Sequence, residues 1–359
     1  MPMQLSDFQY ALPSGLIAQR PLPERDASRL LLLDRETGAV AHRSFRDLPA
    51  LLRPGDLLVL NDTRVLPARL YGATPRGGRV EMLLLEEAEA TAWWAWVKPG
   101  RRARVGAAFS LPGGLTIRVR ERGREGRILL GFDGPLSVRE VLERHGCTPL
   151  PPYIKRLAPK GAWADPLPAV AHEGDLEDRK RYQTIYAREE GAIAAPTAGL
   201  HFTDAVLEEV RARGVEVASL TLHVGVGTFT PVRAEEVERH RMEAERYRLP
   251  EATARAVKEA RGRGGRVVAV GTTTVRALES AADEEGAPRA GAGQASAFIT
   301  PGYRFRVVDG LLTNFHLPGS TLLILVSAFA GRERVLAAYR EAIAARYRFY
   351  SYGDAMLIF

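Results

Sequence analysis

The chain has little cysteine and no long apolar run, and both shortages limit what kind of protein it can be. Cys147 is the only cysteine among 359 residues, so no disulfide can form within the chain, which is typical of proteins from a reducing compartment. No stretch of about 18 uncharged apolar residues occurs, and Leu322–Ala330 comes nearest. No basic-then-apolar signal peptide is recognisable at the amino terminus. We therefore expect a cytoplasmic protein without a membrane span.

Lysine and asparagine are also scarce. The basic residues comprise 5 lysines and 45 arginines, and the formal net charge is +7. Arginine binds phosphates bidentately and stacks on bases, so the excess fits an RNA partner. A GC-rich genome or adaptation to heat explains the arginine content equally well. Only two asparagines remain, Asn61 and Asn314, and both fall in motif-like segments, which makes them candidates for a functional or turn-forming role.

The pattern of apolar residues divides the chain into regions of two kinds. Residues 1–63 and 150–359 alternate short apolar strands with helical patterns, which is typical of an α/β domain. Residues 64–149 carry short alternating runs between glycine-rich turns, which is typical of a small antiparallel barrel. Residues 1–63 hold too little core to fold alone, so we expect them to join the later segment. The sequence thus predicts an α/β fold with a mixed, largely parallel sheet and flanking helices, plus an inserted antiparallel β-barrel domain.

Two segments run from an apolar strand through small, hydroxyl-bearing residues into a helix. AAPTAGLHF offers Thr197, Gly199 and His201, and AVGTTTVRALES offers three adjacent threonines. A strand–turn–helix unit directs free backbone N–H groups at one spot, which suits an anionic or sugar-bearing ligand. His201 is a candidate general base near neutral pH, although a capping or hydrogen-bonded core histidine explains it as well. The candidate binding groups of the second segment are Thr272, Thr273, Thr274 and Arg276.

Two further strand ends carry polar side chains. One reads NDTR after the buried run LLVL, and the other reads TNFH after GLL. Proteins of the α/β class bind ligands beyond the carboxyl ends of their strands, although a strand-end turn or a hydrogen-bonded polar loop explains either segment as well. The candidate groups are Asn61, Asp62, Arg64, Asn314 and His316.

Other chemistries are disfavoured. LHVGVGTF, which includes His223, lacks the third glycine and the helix start that a dinucleotide site requires. No Walker lysine follows the three threonines, which argues against nucleoside triphosphate hydrolysis. Histidines 201, 223 and 316 lie in motif segments, but none forms an HxxxH or CxxC pair, so we predict that no metal is bound.

Together these segments resemble the S-adenosylmethionine:tRNA ribosyltransferase-isomerase family of queuosine biosynthesis, in order and from about Leu12 to Phe359. One run departs from the family pattern: in HRMEAE, Glu243 stands where the family has a second histidine, while Glu245 matches. The matching motifs are GDLLVLNDTRVLPARL, VKPGRR, RYQTIYA, AAPTAGLHF, LHVGVGTF, AVGTTTVRALES, DGLLTNFHLPGSTLL and RFYSYGDAMLIF.

The resemblance implies an α/β domain with an inserted β-barrel, a monomer, and no metal. It implies that the ribosyl part of S-adenosylmethionine, a consumed cosubstrate, is moved onto 7-aminomethyl-7-deazaguanine at the wobble position of tRNAs with a GUN anticodon. Epoxyqueuosine-tRNA forms, and adenine and methionine leave. Two alternatives are an S-adenosylmethionine-dependent tRNA methyltransferase and a non-catalytic RNA-binding module, neither of which releases adenine.

The implied reaction needs a group that removes a proton from the carbon next to the sulfonium. We take His201 as the proton acceptor, with His316 and Asp62 as rivals. A carboxylate or an aromatic face beside the sulfonium is also expected, and the candidate carboxylates in matching motifs are Asp62, Asp309 and Asp354. The residues expected to bind S-adenosylmethionine are Asn61, Arg64, Thr197, Gly199, Thr272, Thr273, Thr274, Arg276, Asn314 and Asp354.

Overall fold

The computed structural model describes residues 3–156, 175–225, 227 and 235–359. These residues form two compact units. One comprises the described residues of Met1–Arg64 and Gln183–Phe359, and the other those of Val65–Tyr182. The LHVGVGTF motif is described only in part, since residues 226, 228 and 229 lie outside the described ranges.

The strands are numbered in chain order. They are β1 (Arg29–Leu33), β2 (Val40–Ser44), β3 (Leu57–Asn61), β4 (Thr63–Val65), β5 (Arg69–Ala73), β6 (Arg79–Glu89), β7 (Ala92–Lys98), β8 (Ala108–Ser110), β9 (Thr116–Arg122), β10 (Ile128–Asp133), β11 (Glu189–Ala192), β12 (Glu216–Leu222), β13 (Glu245–Leu249), β14 (Val267–Val270), β15 (Gly291–Ala295), β16 (Gly310–Asn314) and β17 (Ala355–Ile358).

The helices are numbered in the same way. They are α1 (Leu48–Leu51), α2 (Val138–His145), α3 (Asp175–Arg181), α4 (Asp204–Ala212), α5 (Glu251–Gly262), α6 (Thr272–Ala281), α7 (Thr321–Ala330) and α8 (Arg332–Ala344). Within the described residues, no helix is both long and apolar enough to cross a membrane.

The first unit is built on a mixed sheet. Its nine described strands follow the order β15-β13-β12-β3-β14-β16-β17-β1-β2. The four central strands β12, β3, β14 and β16 are mutually parallel, whereas β17 runs antiparallel to β16 and parallel to β1. Strands β3, β14 and β16 are buried along their whole length, because helices cover both faces of a parallel sheet. The predicted mixed α/β sheet is confirmed, with its parallel part confined to the centre and to the β17–β1 pair.

Local sequence sets the ends of the helices that cover the sheet. Helix α4 begins after Thr203, whose side-chain oxygen accepts a hydrogen bond from the Val206 N–H (3.3 Å). It is followed by Gly214, whose φ of +77° is a conformation that glycine adopts without strain. The apolar face of α4, including Leu207 and Val210, packs into the core formed by the sheet.

The second unit contains a closed barrel with the strand order β10-β7-β6-β5-β8-β9. Alternate residues of each strand point inward, and side chains such as Trp93, Phe109 and Leu130 fill the interior. The predicted antiparallel barrel is therefore confirmed.

This compact unit continues beyond residue 149, where the sequence pattern placed the end of the barrel domain. Helix α3 is tied to the segment that follows the barrel, because the Thr148 N–H donates to Asp175 (3.1 Å) and Arg156 pairs with Asp178 (2.8 Å). Arg179 also donates to the Gly146 carbonyl. These contacts group α3 with the barrel unit, which ends at Tyr182 rather than at residue 149. The sequence pattern does not reveal these contacts, because they join residues that lie 22 to 33 positions apart.

Candidate active site

The topology of the sheet brings the sequence-predicted polar segments to one edge. Because β12, β3, β14 and β16 are parallel, the residues that follow Leu222, Asn61, Val270 and Asn314 all emerge on the same side. Strand β17 runs the other way, so Asp354, which precedes it, lies at that side too. We call this side of the sheet the carboxyl edge.

Asn61 joins three of these segments through its side-chain amide. Its Nδ2 donates to the Leu222 carbonyl (3.0 Å) and to Thr273 Oγ1 (3.3 Å). Its Oδ1 accepts from the backbone N–H groups of Leu222 (3.0 Å) and Thr63 (3.2 Å). An amide can make four such bonds, so Asn61 is fully satisfied by protein groups. Its place at the edge agrees with the sequence analysis, and its geometry is that of a residue that holds neighbouring loops together.

The three threonines of α6 take different positions. Thr274 Oγ1 donates to the Val270 carbonyl (2.6 Å), while Thr273 Oγ1 accepts from Asn61. Thr272 is the first residue of the helix and makes no side-chain hydrogen bond among the described residues. Thr272 therefore combines a hydroxyl with the positive end of the helix, as a polar ligand would require.

A second network connects the other two predicted segments. Thr197 Oγ1 donates to Asn314 Oδ1 (2.8 Å), and Asn314 Nδ2 donates to His201 Nε2 (3.3 Å) and to the Tyr350 carbonyl (3.4 Å). His201 Nδ1 lies 2.6 Å from Ser28 Oγ. Since Nε2 accepts from Asn314, Nδ1 carries the proton and donates to Ser28. The network orients His201 as a neutral imidazole with both nitrogens occupied.

The two networks are adjacent. The short 3₁₀ turn Thr197–His201 passes over the end of β14, so that a side-chain carbon added at Gly271 would lie 3.6 Å from Thr273 Oγ1 and 3.8 Å from Ala198 Cβ. All four sequence-predicted strand ends thus meet along one stretch of the carboxyl edge.

Burial makes both candidate histidines weak bases. Burial, with smaller contributions from Arg348 and Arg25, lowers the pKa of His201 to about 3. Burial also lowers the pKa of His316 to about 3. His316 Nε2 lies 2.7 Å from Thr313 Oγ1, and its backbone N–H donates to the Tyr339 hydroxyl (2.9 Å). Both imidazoles are neutral at physiological pH and are held in place by hydrogen bonds.

Asp62 differs from the two histidines. Burial raises the pKa of its carboxyl group, against a hydrogen bond in which Thr221 Oγ1 donates to Oδ1 (2.7 Å). Its side chain is only part-buried, and its backbone carbonyl accepts from the N–H groups of Arg188 (2.7 Å) and Glu189 (3.2 Å). A carboxylate whose pKa is raised above its ordinary value is a stronger proton acceptor than an imidazole whose conjugate acid has a pKa of about 3.

Two other residues that were expected to bind S-adenosylmethionine already form hydrogen bonds and ion pairs with other protein groups. Asp354 is buried and accepts from the N–H groups of Arg29 (3.0 Å) and Arg348 (2.8 Å), and it forms an ion pair with the Arg29 guanidinium (3.2 Å). Arg276 is buried in an ion pair with Glu245, and its Nη2 donates to the Ala295 carbonyl (2.5 Å).

Glu245 ties the Arg276 helix to the loop after β12. Besides the Arg276 guanidinium, its carboxylate accepts from the Gly225 N–H (2.9 Å). Burial raises the pKa of Glu245, and the Arg276 charge opposes that shift. Glu245 was noted in the sequence only as a match to the family, because no local pattern shows that it pairs with an arginine 31 positions away.

Arg64 and Gly199 lie in surroundings that differ from those expected of ligand-binding residues. The Arg64 side chain is 53% exposed and lies 4.0 Å from Glu190, so it is not part of the buried networks. Gly199 was expected to admit a ligand close to the backbone, but a Cβ there would overlap the Tyr186 hydroxyl oxygen. The missing side chain of Gly199 makes room for Tyr186.

Sequence reasoning assigned no role to three residues of this edge: Ser28, Tyr186 and Glu245. Ser28 precedes β1, and only the antiparallel placement of β17 brings that strand start to the same edge. Tyr186 lies within RYQTIYA, a motif that was recognised as a whole without any role being given to its second tyrosine. Among the described residues, no group of three or more His, Cys, Asp or Glu side chains could hold a metal ion; the absence of a metal stays a prediction.

Comparisons with known proteins identify the family of this chain. A family model described as "Queuosine biosynthesis protein" matches residues 5–358. Curated proteins named S-adenosylmethionine:tRNA ribosyltransferase-isomerase are similar along their whole length. That of Citrifermentans bemidjiense is 54% identical over 99% of this chain and 100% of its own length. That of Pelotomaculum thermopropionicum is 52% identical over the same shares.

One solved structure is similar as well. The crystal structure of S-adenosylmethionine tRNA ribosyltransferase from Thermotoga maritima is 38% identical, covers 99% of this chain and 100% of its own, and gives a TM-score of 0.54.

Proposed function

Because this chain belongs to the family of S-adenosylmethionine:tRNA ribosyltransferase-isomerases, enzymes of queuosine biosynthesis, we propose that it carries out the family reaction at the carboxyl edge. The ribosyl group of S-adenosylmethionine is transferred to the aminomethyl group of 7-aminomethyl-7-deazaguanine at the wobble position of a GUN-anticodon tRNA. The bonds from the ribosyl group to adenine and to the methionine sulfur break, a bond to the amine forms, and epoxyqueuosine-tRNA results.

One observation carries the proposal: the four polar segments predicted from sequence meet along one edge of the sheet. The Asn61–Thr273 and Thr197–Asn314–His201 networks lie next to each other where the Thr197–His201 turn crosses the end of β14. Thr272 adds a hydroxyl at the start of α6. A nucleoside with a sugar, a sulfonium and a carboxylate requires such a row of donors and acceptors.

We propose Asp62 as the group that takes the proton from the carbon attached to the sulfonium. Its carboxylate accepts a hydrogen bond from Thr221, and burial raises its pKa above the ordinary value, which makes it a stronger base. A carboxylate also stabilises the positive sulfonium before the proton is removed. Asp62 therefore replaces His201 as the favoured proton acceptor.

His201 then acts as a neutral positioning group. Its Nε2 accepts from Asn314 and its Nδ1–H donates to Ser28, so it holds the Thr197–His201 turn against the start of β1 and the end of β16. His316 links β16 to α8, since its backbone N–H donates to the Tyr339 hydroxyl. Neither imidazole has to change its charge for the reaction to proceed.

The tRNA partner accounts for part of the basic composition. A net charge of +7 with 45 arginines suits an anionic stem-loop, and we expect affinity for tRNA to fall steeply with salt. A cytoplasmic monomer is the form that we expect in the cell.

A single assay tests the reaction. The protein is incubated with S-adenosylmethionine and tRNA that carries the aminomethyl-deazaguanine, and small-molecule products are separated by chromatography. We expect adenine and methionine in equal amounts, and only when that tRNA is present. S-adenosylhomocysteine in their place would show methyl transfer, and binding without any product would show an RNA-binding protein; either result overturns the proposal.

A further inference from the structure

Three buried side-chain hydroxyls of the α/β unit make no hydrogen bond among the described residues, and two of them lie two positions apart in one segment. These two are Tyr186 Oη and Thr184 Oγ1, and the third is Ser327 Oγ in α7. The Thr184 side chain is 4% exposed, and the ring of Tyr186 reaches in from the surface so that its hydroxyl oxygen is buried. Burying a hydroxyl without a partner costs roughly 1–3 kcal/mol. Two such groups on alternate residues of one segment call for an explanation.

Both side chains lie against the same glycine of the candidate active site. A Cβ on Gly199 would overlap Tyr186 Oη and would lie 2.8 Å from Thr184 Cγ2. Gly199 belongs to the turn that carries Thr197 and His201. The absence of a side chain at residue 199 therefore admits the Tyr186 hydroxyl to the carboxyl edge.

The Tyr186 hydroxyl lies within electrostatic reach of Asp62. The backbone N–H groups of Arg188 and Glu189 donate to the Asp62 carbonyl, which anchors the chain just after Tyr186. Burial raises the pKa of Tyr186, and the Asp62 carboxylate adds to that shift. The Tyr186 hydroxyl is therefore protonated at physiological pH and available as a donor.

The chemistry of this group of atoms selects its ligand. Tyrosine and threonine hydroxyls both donate and accept, whereas an ionised carboxylate only accepts. The Asp62 charge disfavours a phosphate or carboxylate ligand and favours a positive charge nearby, such as that of a sulfonium. A neutral ligand hydroxyl pair, as in a ribose, satisfies every partner, since each hydroxyl can accept from Tyr186 or Thr184 while it donates to another acceptor.

We propose that Tyr186 and Thr184 bind the ribosyl hydroxyls of S-adenosylmethionine and so hold the sugar beside Asp62. The inference rests on the proposed function, because it requires a nucleoside at the carboxyl edge. On this proposal, the two hydroxyls that lack a protein partner form their hydrogen bonds with the substrate, and the free energy cost of burying them is a cost of substrate recognition.

Tyr186→Phe removes one hydroxyl and keeps the ring. Thr184→Val removes the other hydroxyl and keeps the volume of the side chain. Ser327→Ala is the control, because Ser327 Oγ is another buried hydroxyl without a partner, located within α7. Steady-state kinetics are measured with S-adenosylmethionine at saturating precursor tRNA. We expect KM for S-adenosylmethionine to rise roughly 5- to 30-fold in Tyr186→Phe, with a smaller rise in Thr184→Val and a change below about twofold in the control.

Thermal unfolding separates recognition from structure. Loss of an unpartnered buried hydroxyl leaves stability unchanged or improves it, so we expect all three variants to keep or raise the Tm of the free protein. A variant that binds substrate worse while remaining as stable as the wild type supports a ligand-binding hydroxyl. An unchanged KM in both Tyr186→Phe and Thr184→Val would overturn the inference.

A comparison of inhibitors that have or lack a ribosyl hydroxyl tests whether the sugar is what Tyr186 and Thr184 bind. S-adenosylhomocysteine and its 2′-deoxy and 3′-deoxy forms serve as competitive inhibitors that cannot react. We expect one deoxygenation to weaken inhibition of the wild type about tenfold and of Tyr186→Phe less than twofold. Equal losses in both proteins would overturn the assignment to the ribosyl hydroxyls. If instead the wild type releases no adenine from S-adenosylmethionine, the proposed function itself fails.

Discussion

The two compact units differ in what they bury. The barrel unit is filled by apolar side chains such as Trp93, Phe109 and Leu130, and none of the described buried polar or charged residues lies on strands β5–β10. All but three of the described buried polar or charged residues belong to the α/β unit, the exceptions being Thr148, Asp175 and Asp178. Many of those in the α/β unit lie at the carboxyl edge.

The difference shows how each unit obtains a defined structure. Apolar packing in the barrel depends on volume and tolerates exchanges among hydrophobic residues. At the carboxyl edge, each buried amide, hydroxyl and imidazole requires a specific partner, because an unpaired group there costs more than its hydrogen bond contributes. We therefore expect conservative substitutions to be severe at the edge and mild on the barrel surface.

The largest effect is expected at the proposed proton acceptor. Asp62→Asn keeps the size of the side chain but removes the base, so we expect adenine release to fall by about 10²- to 10⁴-fold with the fold intact. Asp56→Asn is the control, since Asp56 pairs with Arg266 (2.6 Å) at the start of β3, away from the carboxyl edge. It should cost stability and leave turnover per folded molecule nearly unchanged. Near-normal adenine release by Asp62→Asn would exclude Asp62 as the base.

The second largest effect is expected when the buried ion pair between Arg276 and Glu245 is broken. Arg276→Met leaves the Glu245 carboxylate buried without its cation, and we expect a loss of about 3–5 kcal/mol in the free energy of unfolding. The orphaned carboxyl group can take up a proton, so the loss should be smaller at pH 5 than at pH 8. Urea unfolding at the two pH values measures both effects, and a pH-independent loss below about 1 kcal/mol would contradict this account.

The buried histidines predict how stability depends on pH. His201 and His316 have pKa values of about 3 in the folded protein, below the ordinary histidine value of 6.5. The unfolded chain therefore binds more protons between these values, and folding stability is full above pH 6.5 and falls as the pH drops toward 3. Each histidine contributes a slope of about 1.4 kcal/mol per pH unit. His201→Gln should remove about half of the combined slope in urea unfolding between pH 6 and pH 5, and an unaltered slope would show that His201 is not buried as a neutral imidazole.

The smallest effect is expected for an ion pair on the barrel surface. Arg118 and Asp133 lie 2.6 Å apart, but their side chains are 57% and 46% exposed. Water and salt screen such a pair, so Asp133→Asn should change the free energy of unfolding by less than about 1 kcal/mol. A loss as large as that of Arg276→Met would remove the contrast between the two units.

The carboxyl edge was predictable to the extent that it depends on strand order. Asn61, the Thr272–Thr274 run and Asn314 each follow a short apolar strand, and parallel strands bring such ends together. The partners of those residues were not predictable. That Asn61 would donate to Thr273, or Asp354 accept from Arg29, depends on contacts across more than 200 residues, which no local pattern encodes.

Two strands of the structure have sequences that carry only weak strand signals. Strand β5 has the sequence RLYGA, and Gly72 gives it little intrinsic preference for extended structure. In the barrel, Gly72 is required, because a Cβ there would lie 2.9 Å from the Ser110 carbonyl oxygen. Strand β15, GAGQA, reads as a small-residue loop and becomes a strand only by pairing with β13. In both cases the neighbouring strand, rather than the residue type, determines the conformation.

The central claim is that S-adenosylmethionine binds at the carboxyl edge of the α/β unit. Amide hydrogen exchange tests it directly, with tRNA that has guanine at the wobble position and therefore lacks the reacting amine. Protein with this tRNA is compared with protein that also contains S-adenosylmethionine. We predict added protection in peptides that cover residues 57–64, 184–202, 270–276 and 312–316. Protection confined to the barrel strands, with none in these four segments, would contradict the account.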